Sequence, residues 1–176
     1  MKKSVLLLFF AGCVATGIFG IGRKIPMNRV NDLGQREGYW RDSLGEGITH
    51  ELYYKGGKKD GLFKCFIRNE LFLFGEYTAD NISGTWYMFG DEGELRCTID
   101  SIELNKDSIY TGYCRIFCKY KCYCADYYPS GAVKSEGYMV CDEDFMVDFW
   151  EIGEWKYYDE SGNLIKTKDY GDRRTP

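Results

Sequence analysis

The sequence predicts an all-β fold, an elongated antiparallel β-meander of repeated hairpins in a single-layer sheet. Three observations favour this class. The 176 residues include 15 Tyr and 21 Gly but only 3 Pro, a composition typical of many short strands joined by turns. A Gly-x-aromatic element recurs along the chain. Between its copies lie glycine-containing turn sequences flanked by aromatic and β-branched residues, as in β-hairpins.

The first thirteen residues, MKKSVLLLFFAGC, predict an export signal. Two lysines precede an apolar stretch, as in a secretory signal peptide. The stretch is too short for a transmembrane helix, which needs about 20 apolar residues. The Ala-Gly pair directly before Cys13 resembles the bacterial lipobox, in which the cysteine is acylated and becomes the first mature residue. We therefore expect a lipoprotein signal peptide over 1–12, lipidation at Cys13 and a flexible tether over 13–33. The alternatives are cleavage near Gly17 or Gly20, which gives a soluble exported protein, and an uncleaved or cytosolic chain.

An internal repeat organises the rest of the chain. Gly38, Gly61 and Gly84 each stand two positions before an aromatic residue, and both intervals between them are 23 residues. Another copy begins at Gly153, while a weaker one at Gly112 breaks the regular spacing. A fixed period of this length indicates a stack of similar units, each too small to be stable alone.

Glycines also mark the turns and the strands between these elements. WYMFGDEGEL and WKYYDESGNL carry Gly93 and Gly162 seven positions after their tryptophans, and Gly131 takes the same place in YYPSGAV. Asp or Ser beside such a glycine favours a tight turn with positive φ. Strands that end in Gly-x-aromatic or Gly-aromatic, as in FLFGEY and in VKSEGY with Gly137, present a spot without a side chain. We expect a large ring from a neighbouring strand to lie flat on that spot.

YYPSGAVKSEGYMV and IGEWKYYDESGNLIKTKDY resemble the variant MORN repeat of bacterial proteins, the group often labelled YwqK-family antitoxins. GKKDGLFKCF and SGTWYMFGDEGEL are similar to earlier copies of the same unit. The resemblance covers residues 34–170, which we take as one MORN-like β-repeat domain followed by a polar tail over 171–176. It implies an open sheet of stacked hairpins that acts by binding. For the YwqK group the suggested role is neutralisation of a partner toxin.

The cysteines allow three interpretations. Without Cys13, seven of the eight remain, and an odd number cannot all pair within one chain. Four lie in CRIFCKYKCYC, residues 114–124, all at even positions that share one face of a regular strand. A thiolate metal site, one or more disulfides and small buried side chains all remain open. Because the spacing matches no usual metal-binding motif, the sequence assigns no metal and no cofactor.

Catalysis and nucleic-acid binding are both disfavoured. The net charge of −4 lacks the basic footprint of a nucleic-acid-binding protein. His50 is the single histidine, no nucleophile motif such as G-x-S-x-G accompanies it, and we expect it at the surface or in a turn. The acidic run 142–144, with Asp148 and Glu151, lacks the order of a calcium-binding loop and favours a solvated loop. We expect no enzymatic activity.

The aromatic residues of the repeat are the candidate binding residues. A single-layer sheet leaves one face wet or covered, and exposed rings suit a protein or carbohydrate ligand. Packing of these rings in the core is the alternative. The candidates are Trp40, Phe63, Tyr77, Trp86, Tyr138 and Trp155. We expect a lipid-anchored interaction module of the bacterial cell envelope with a protein partner; the alternative function is an envelope lipoprotein that binds or processes glycans.

Overall fold

The computed structural model describes residues 26–106, 118–142 and 149–171. The predicted signal peptide, Cys13, Gly112 and Cys114 lie outside these ranges, as does most of the polar tail. The described residues form one eleven-stranded antiparallel sheet in which neighbours in the chain are neighbours in the sheet. The strands are β1 (Arg29–Val30), β2 (Arg36–Gly45), β3 (Ile48–Lys55), β4 (Lys58–Ile67), β5 (Glu70–Thr78), β6 (Asn81–Phe89), β7 (Leu95–Leu104), β8 (Tyr120–Tyr127), β9 (Val133–Cys141), β10 (Phe149–Tyr158) and β11 (Leu164–Asp169).

The predicted all-β meander of hairpins is confirmed. The 23-residue spacing corresponds to one pair of strands, since Gly38, Gly61 and Gly84 lie on β2, β4 and β6. No helix capable of spanning a bilayer occurs among the described residues.

The four hairpins from β2 to β6 are closed by turns of two residues. Both residues of each turn have positive φ, which is the type I′ conformation that matches the twist of the flanking strands. These turns are Glu46–Gly47, Gly56–Gly57, Arg68–Asn69 and Ala79–Asp80. They fix the register of β2 to β6 through short connections.

A second kind of turn, five residues long, recurs at 31–35, 90–94, 128–132 and 159–163. In each, the first residue donates its N–H to the carbonyl of the fifth, and the fourth donates to the carbonyl of the first. The fourth residue is always glycine with φ between 74° and 83°: Gly34, Gly93, Gly131 and Gly162. The predicted equivalence of the last three is therefore confirmed. Gly34 is a fourth copy that the sequence did not reveal, because no aromatic residue stands among the seven positions before it.

One face of the sheet carries the main hydrophobic core, and we call it the core face. The buried residues alternate along each strand, so that their side chains share this face. They are Leu52, Phe63, Cys65, Leu73, Tyr77, Ile82, Trp86, Cys97, Ile99, Tyr120, Cys122, Cys124, Met139, Cys141 and Trp155. The opposite, outer face carries a smaller cluster that includes Val140 and Ile152.

The sheet begins earlier than the sequence suggested. Residues 29–33, assigned to the tether, form β1 and part of the first five-residue turn. Arg29 pairs with Glu37, and the indole N–H of Trp40 donates to the Arg29 carbonyl at 3.1 Å. This hydrogen bond ties β1 to the half-buried Trp40 of β2.

Candidate functional site

Two tryptophans of the core face lie directly over glycines of the neighbouring strand. A Cβ built on Gly75 would overlap the ring of Trp86, and one built on Gly137 would lie 2.5 Å from the ring of Trp155. Neither glycine has a positive φ, so the need for glycine here is the space it leaves. The prediction that a ring lies flat on a bare glycine is confirmed at both places.

The glycine two positions before each ring forms a bulge. Residues 84–86 on β6 lie opposite Gly75 alone, because Phe74 pairs with Tyr87 and Glu76 with Ser83. Gly84 has a φ of 66°. A bulge of this kind turns the following aromatic side chain onto its neighbour. The other repeat glycines also have positive φ: 73° at Gly38, 121° at Gly61 and 60° at Gly153.

Four of the six candidate aromatic residues belong to the core. Phe63, Tyr77, Trp86 and Trp155 are between 1% and 7% exposed. The Phe63 and Trp86 ring centroids lie 5.5 Å apart, and those of Tyr77 and Trp86 lie 5.2 Å apart. These four rings therefore stabilise the stack of hairpins, and their burial leaves them unavailable as a binding face.

The two remaining candidates differ from each other. Trp40 is half-buried, with the guanidinium carbon of Arg36 4.3 Å from its ring centroid. Tyr138 is 45% exposed and lies between Gly137 and Met139, so it projects from the outer face. Of the predicted residues, Tyr138 is the one that the structure leaves accessible on the outer face.

Tyr138 is one member of a set of aromatic residues on the outer face. Each member is next to a core residue on its own strand, and each faces another ring across the strand pair. The pairs are Tyr39 with Tyr53 at 5.5 Å, Phe74 with Tyr87 at 6.0 Å, and Tyr123 with Tyr138 at 5.2 Å between ring centroids. We call these six residues the outer aromatic pairs. The Gly-x-aromatic motif marks only the core face, so five of these six residues were missed. They could have been found from the alternation of side chains along a strand, which places the neighbours of each core residue on the outer face.

Charged residues share the outer face with these rings. Glu51, Lys64, Phe74 and Tyr87 lie in register across β3 to β6. Burial, followed by a hydrogen bond with Glu51, raises the pKa of Tyr39 to about 12.

Tyr123 shows the same effect on β8. Burial, together with the charge of Glu136 and a hydrogen bond to it, raises its pKa to about 12. The outer face therefore presents neutral phenols beside carboxylates at neutral pH.

The core face opens into a pocket of about 350 Å³ between β6 and β10. Cys97, Cys124 and Asp126 line it, and their ligand atoms all lie within 4.8 Å of one another. The two Sγ atoms are 3.1 Å apart. The hydroxyl of Ser135 donates to Oδ2 of Asp126 at 2.8 Å. Arg96 also lines the pocket and brings a positive charge.

The described cysteines are all buried. Cys122 and Cys124 share the core face, as predicted from their even positions, but Cys118 precedes β8 and belongs to the smaller cluster. The sulfur atoms of Cys122 and Cys141 lie 3.8 Å apart. Hydrogen bonding with Cys97 and burial raise the pKa of Cys124, and Cys141 acts in the same way on Cys122. The thiols of Cys122 and Cys124 therefore stay protonated at neutral pH.

Two other sequence predictions are revised. His50 lies within β3 rather than in a turn, and its ring centroid is 5.0 Å from that of Phe63 on the core face. Its ring extends the aromatic stack because His50 pairs with Cys65 on that face. Glu151 of the acidic group lies on β10 and lines the pocket, while residues 143–148 lie outside the described ranges.

Comparison of the chain with protein-family models, with curated protein sequences and with solved structures gave no match.

Proposed function

We propose that this chain is a non-enzymatic binding module that holds a protein partner on the outer face of its sheet. The observation that carries the proposal is the outer aromatic pairs, three cross-strand ring pairs on the face opposite the core. Tyr53 is 39% exposed and Tyr138 45% exposed. Tyrosine gives large contact area with few rotatable bonds, and it is enriched among the residues that dominate binding energy.

The surroundings of the rings favour a protein surface as the ligand. Protein interfaces combine apolar anchors with a polar rim. Leu62, 46% exposed, adds an aliphatic side chain on β4, and Arg41 and Glu51 form an ion pair at 3.9 Å. Aromatic, aliphatic and charged groups therefore lie together on one sheet face.

The sequence motifs support a location and a family as part of the proposal. The module is exported and anchored by a lipid on Cys13 to the bacterial cell envelope, as the segment MKKSVLLLFFAGC supports. Its hairpins are variant MORN repeats, as the segments around Gly131, Gly153 and Gly162 support. The most specific role that we propose is antitoxin-like or immunity-like, in which the outer face of the sheet covers a partner protein.

Co-purification tests the binding surface. The full chain, a Tyr53→Ala/Tyr138→Ala variant and a Leu33→Ala control are isolated from membranes with their bound proteins. Leu33 is 81% exposed in the 31–35 turn, so its truncation also removes an exposed apolar side chain, but outside the strands that carry the outer aromatic pairs. We expect the double variant to retain about tenfold less partner, and the control to match the wild type. Equal retention by the double variant would reject the outer face as the binding surface.

Fatty-acid labelling tests the location separately. Label on the native protein that disappears in Cys13→Ala would support the lipid anchor. Unlabelled, full-length protein in the cytosol would reject it and direct the search to a cytosolic toxin. Binding or turnover on a panel of envelope glycans would instead favour the alternative function.

A further inference from the structure

We propose that Cys97, Cys124 and Asp126 form a binding site for a thiophilic divalent cation, with Zn²⁺ the best match, at the floor of the core-face pocket. This site lies on the face opposite the outer aromatic pairs and does not rest on the proposed function. Two sulfur donors and one oxygen donor suit zinc and cobalt, whereas Mg²⁺ and Ca²⁺ prefer oxygen ligands alone.

The pairing of β7 with β8 brings the three donors together. Cys97 lies directly opposite Asp126, and Cys124 lies opposite Ile99, so the two cysteines are diagonal neighbours. Their sulfurs are 3.1 Å apart, whereas two thiolates on a tetrahedral zinc, at Zn–S distances near 2.3 Å, are about 3.8 Å apart. An opening of about 0.7 Å is therefore enough to admit the ion.

A disulfide fits this arrangement less well. Diagonal neighbours in an antiparallel pair have Cα atoms about 7–8 Å apart, while disulfides usually join Cα atoms about 4.4–6.8 Å apart. A disulfide would also leave the negative carboxylate of Asp126 beside two uncharged sulfurs, with no positive partner among them. A bound cation would instead be coordinated by all three side chains.

The hydroxyl of Ser135 supports the Asp126 carboxylate as a ligand. Ser135, only 4% exposed, donates its hydroxyl to Oδ2 of Asp126 at 2.8 Å. A monodentate metal bond uses one carboxylate oxygen. The ion is therefore able to bind one oxygen of Asp126 while Ser135 donates its hydrogen bond to the other. Hydrogen bonds of this kind orient metal ligands and raise affinity.

The charge balance and the open side of the site are also favourable. Binding forms two metal–sulfur bonds and one metal–oxygen bond, and it releases the two thiol protons to solvent without electron transfer. A divalent ion bound by two thiolates and one carboxylate forms a complex with a net charge of −1. The positively charged side chains of Arg96 and Lys134 line the same pocket and balance that charge. The pocket of about 350 Å³ leaves the fourth position to water or an added donor, as in open zinc sites.

The test uses the purified, fully reduced full chain titrated with Co²⁺ and then with Zn²⁺. We expect one equivalent of Co²⁺ to bind with thiolate charge-transfer absorption, and Zn²⁺ to displace it. Cys97→Ser and Cys124→Ser are expected to weaken binding by about 100-fold and Asp126→Asn by about tenfold. Cys65→Ser, which alters a buried cysteine on β4, is the matched control and is expected to bind like the wild type.

Circular dichroism of each apo variant separates loss of the site from loss of the fold. A folded, reduced chain that binds no cobalt would overturn the proposal. Unchanged binding in folded Cys97→Ser would overturn it as well. Folded Asp126→Asn with wild-type affinity would remove the carboxylate from the site and contradict the assigned ligand set.

Discussion

At the residue scale, the fold depends on glycines that have two different structural roles. Gly75 and Gly137 make room for the rings of Trp86 and Trp155, whereas Gly84 allows the positive φ of the bulge before the ring. Sequence reasoning predicted the bare spot because a ring over a missing Cβ is a local rule. It did not predict which aromatic residues stay exposed, since that depends on which face each strand turns to the core.

The substitution Gly75→Ala tests the bare spot. A Cβ there would overlap the Trp86 ring, so we expect a loss of about 1–3 kcal/mol in the free energy of unfolding, measured with urea. In a Trp86→Ala background the same change is expected to cost less than about 0.5 kcal/mol, because the ring is gone.

Gly90→Ala is the matched control. Gly90 also has no positive φ, but its added Cβ would meet only the flexible end of the Glu94 side chain, which is able to move away. We expect this variant to unfold like the wild type. Equal losses for Gly75→Ala and Gly90→Ala would contradict ring packing as the cause.

Alkaline titration tests the environment of the outer tyrosines. The pKa values of Tyr39 and Tyr123 are raised to about 12, against about 10 for an unfolded tyrosine. Between these values the folded chain holds more protons than the unfolded chain, so stability is complete below pH 10 and falls as pH rises towards 12. Urea unfolding across this range checks the slope. A Tyr39→Phe/Tyr123→Phe variant is expected to show a shallower slope, and an identical slope would remove these residues as its source.

At the element scale, the hairpin turns set the strand register. The five-residue turns share one hydrogen-bond pattern, and in two of them an Asn or Asp side chain adds bonds to the backbone. In the last turn the side chain and backbone N–H of Asn163 lower the pKa of Asp159. The sequence indicated two of these turns from the position of glycine after tryptophan and a third, at Gly131, from the similar turn sequence YYPSGAV. The closeness of the Cys97 and Cys124 sulfurs was not predictable, because the register of β7 against β8 is set across the connection 105–119 and no local motif encodes it.

Substitutions at Gly131 test the conformation of the turn. Its φ is 83° and nothing lies within 4 Å of the position that a Cβ would take, so backbone strain decides the outcome. We expect Gly131→Val to lower the free energy of unfolding by about 1–2 kcal/mol and Gly131→Asn to lower it less, because asparagine tolerates this region. Thermal melts of the two variants provide the measurement. Equal melting temperatures for Val and Asn would argue against a left-handed residue at this position.

At the whole-molecule scale, the described sheet is open, and the burial of its side chains falls from centre to edge. The residues of β11 are all exposed, whereas β4 to β9 supply most of the buried side chains. Lys166 and Lys168 on β11 are the kind of residues that discourage pairing with another sheet. The class of fold was predictable from the repeat because each unit buries its apolar face only by stacking on the next.

Hydrogen exchange tests this gradient. We expect the amides of β5 to β8 to exchange slowest and those of the edge strands β1 and β11 to exchange fastest among the strands, because exposed elements open with little free energy. Mass spectrometry of peptides from the exchanging protein gives the order. Protection of β11 equal to that of β6 in the monomer would contradict the assigned edge.

We propose that one face of the sheet holds the fold together and the other holds a partner. Covalent labelling of aromatic side chains checks this proposal, with the isolated full chain compared against the complex taken from membranes. We expect Tyr53 and Tyr138 to be labelled in the isolated chain and protected about tenfold in the complex, and Trp86 and Trp155 to remain unlabelled in both. Ready labelling of the two tryptophans, or equal labelling of the two tyrosines in both samples, would contradict it.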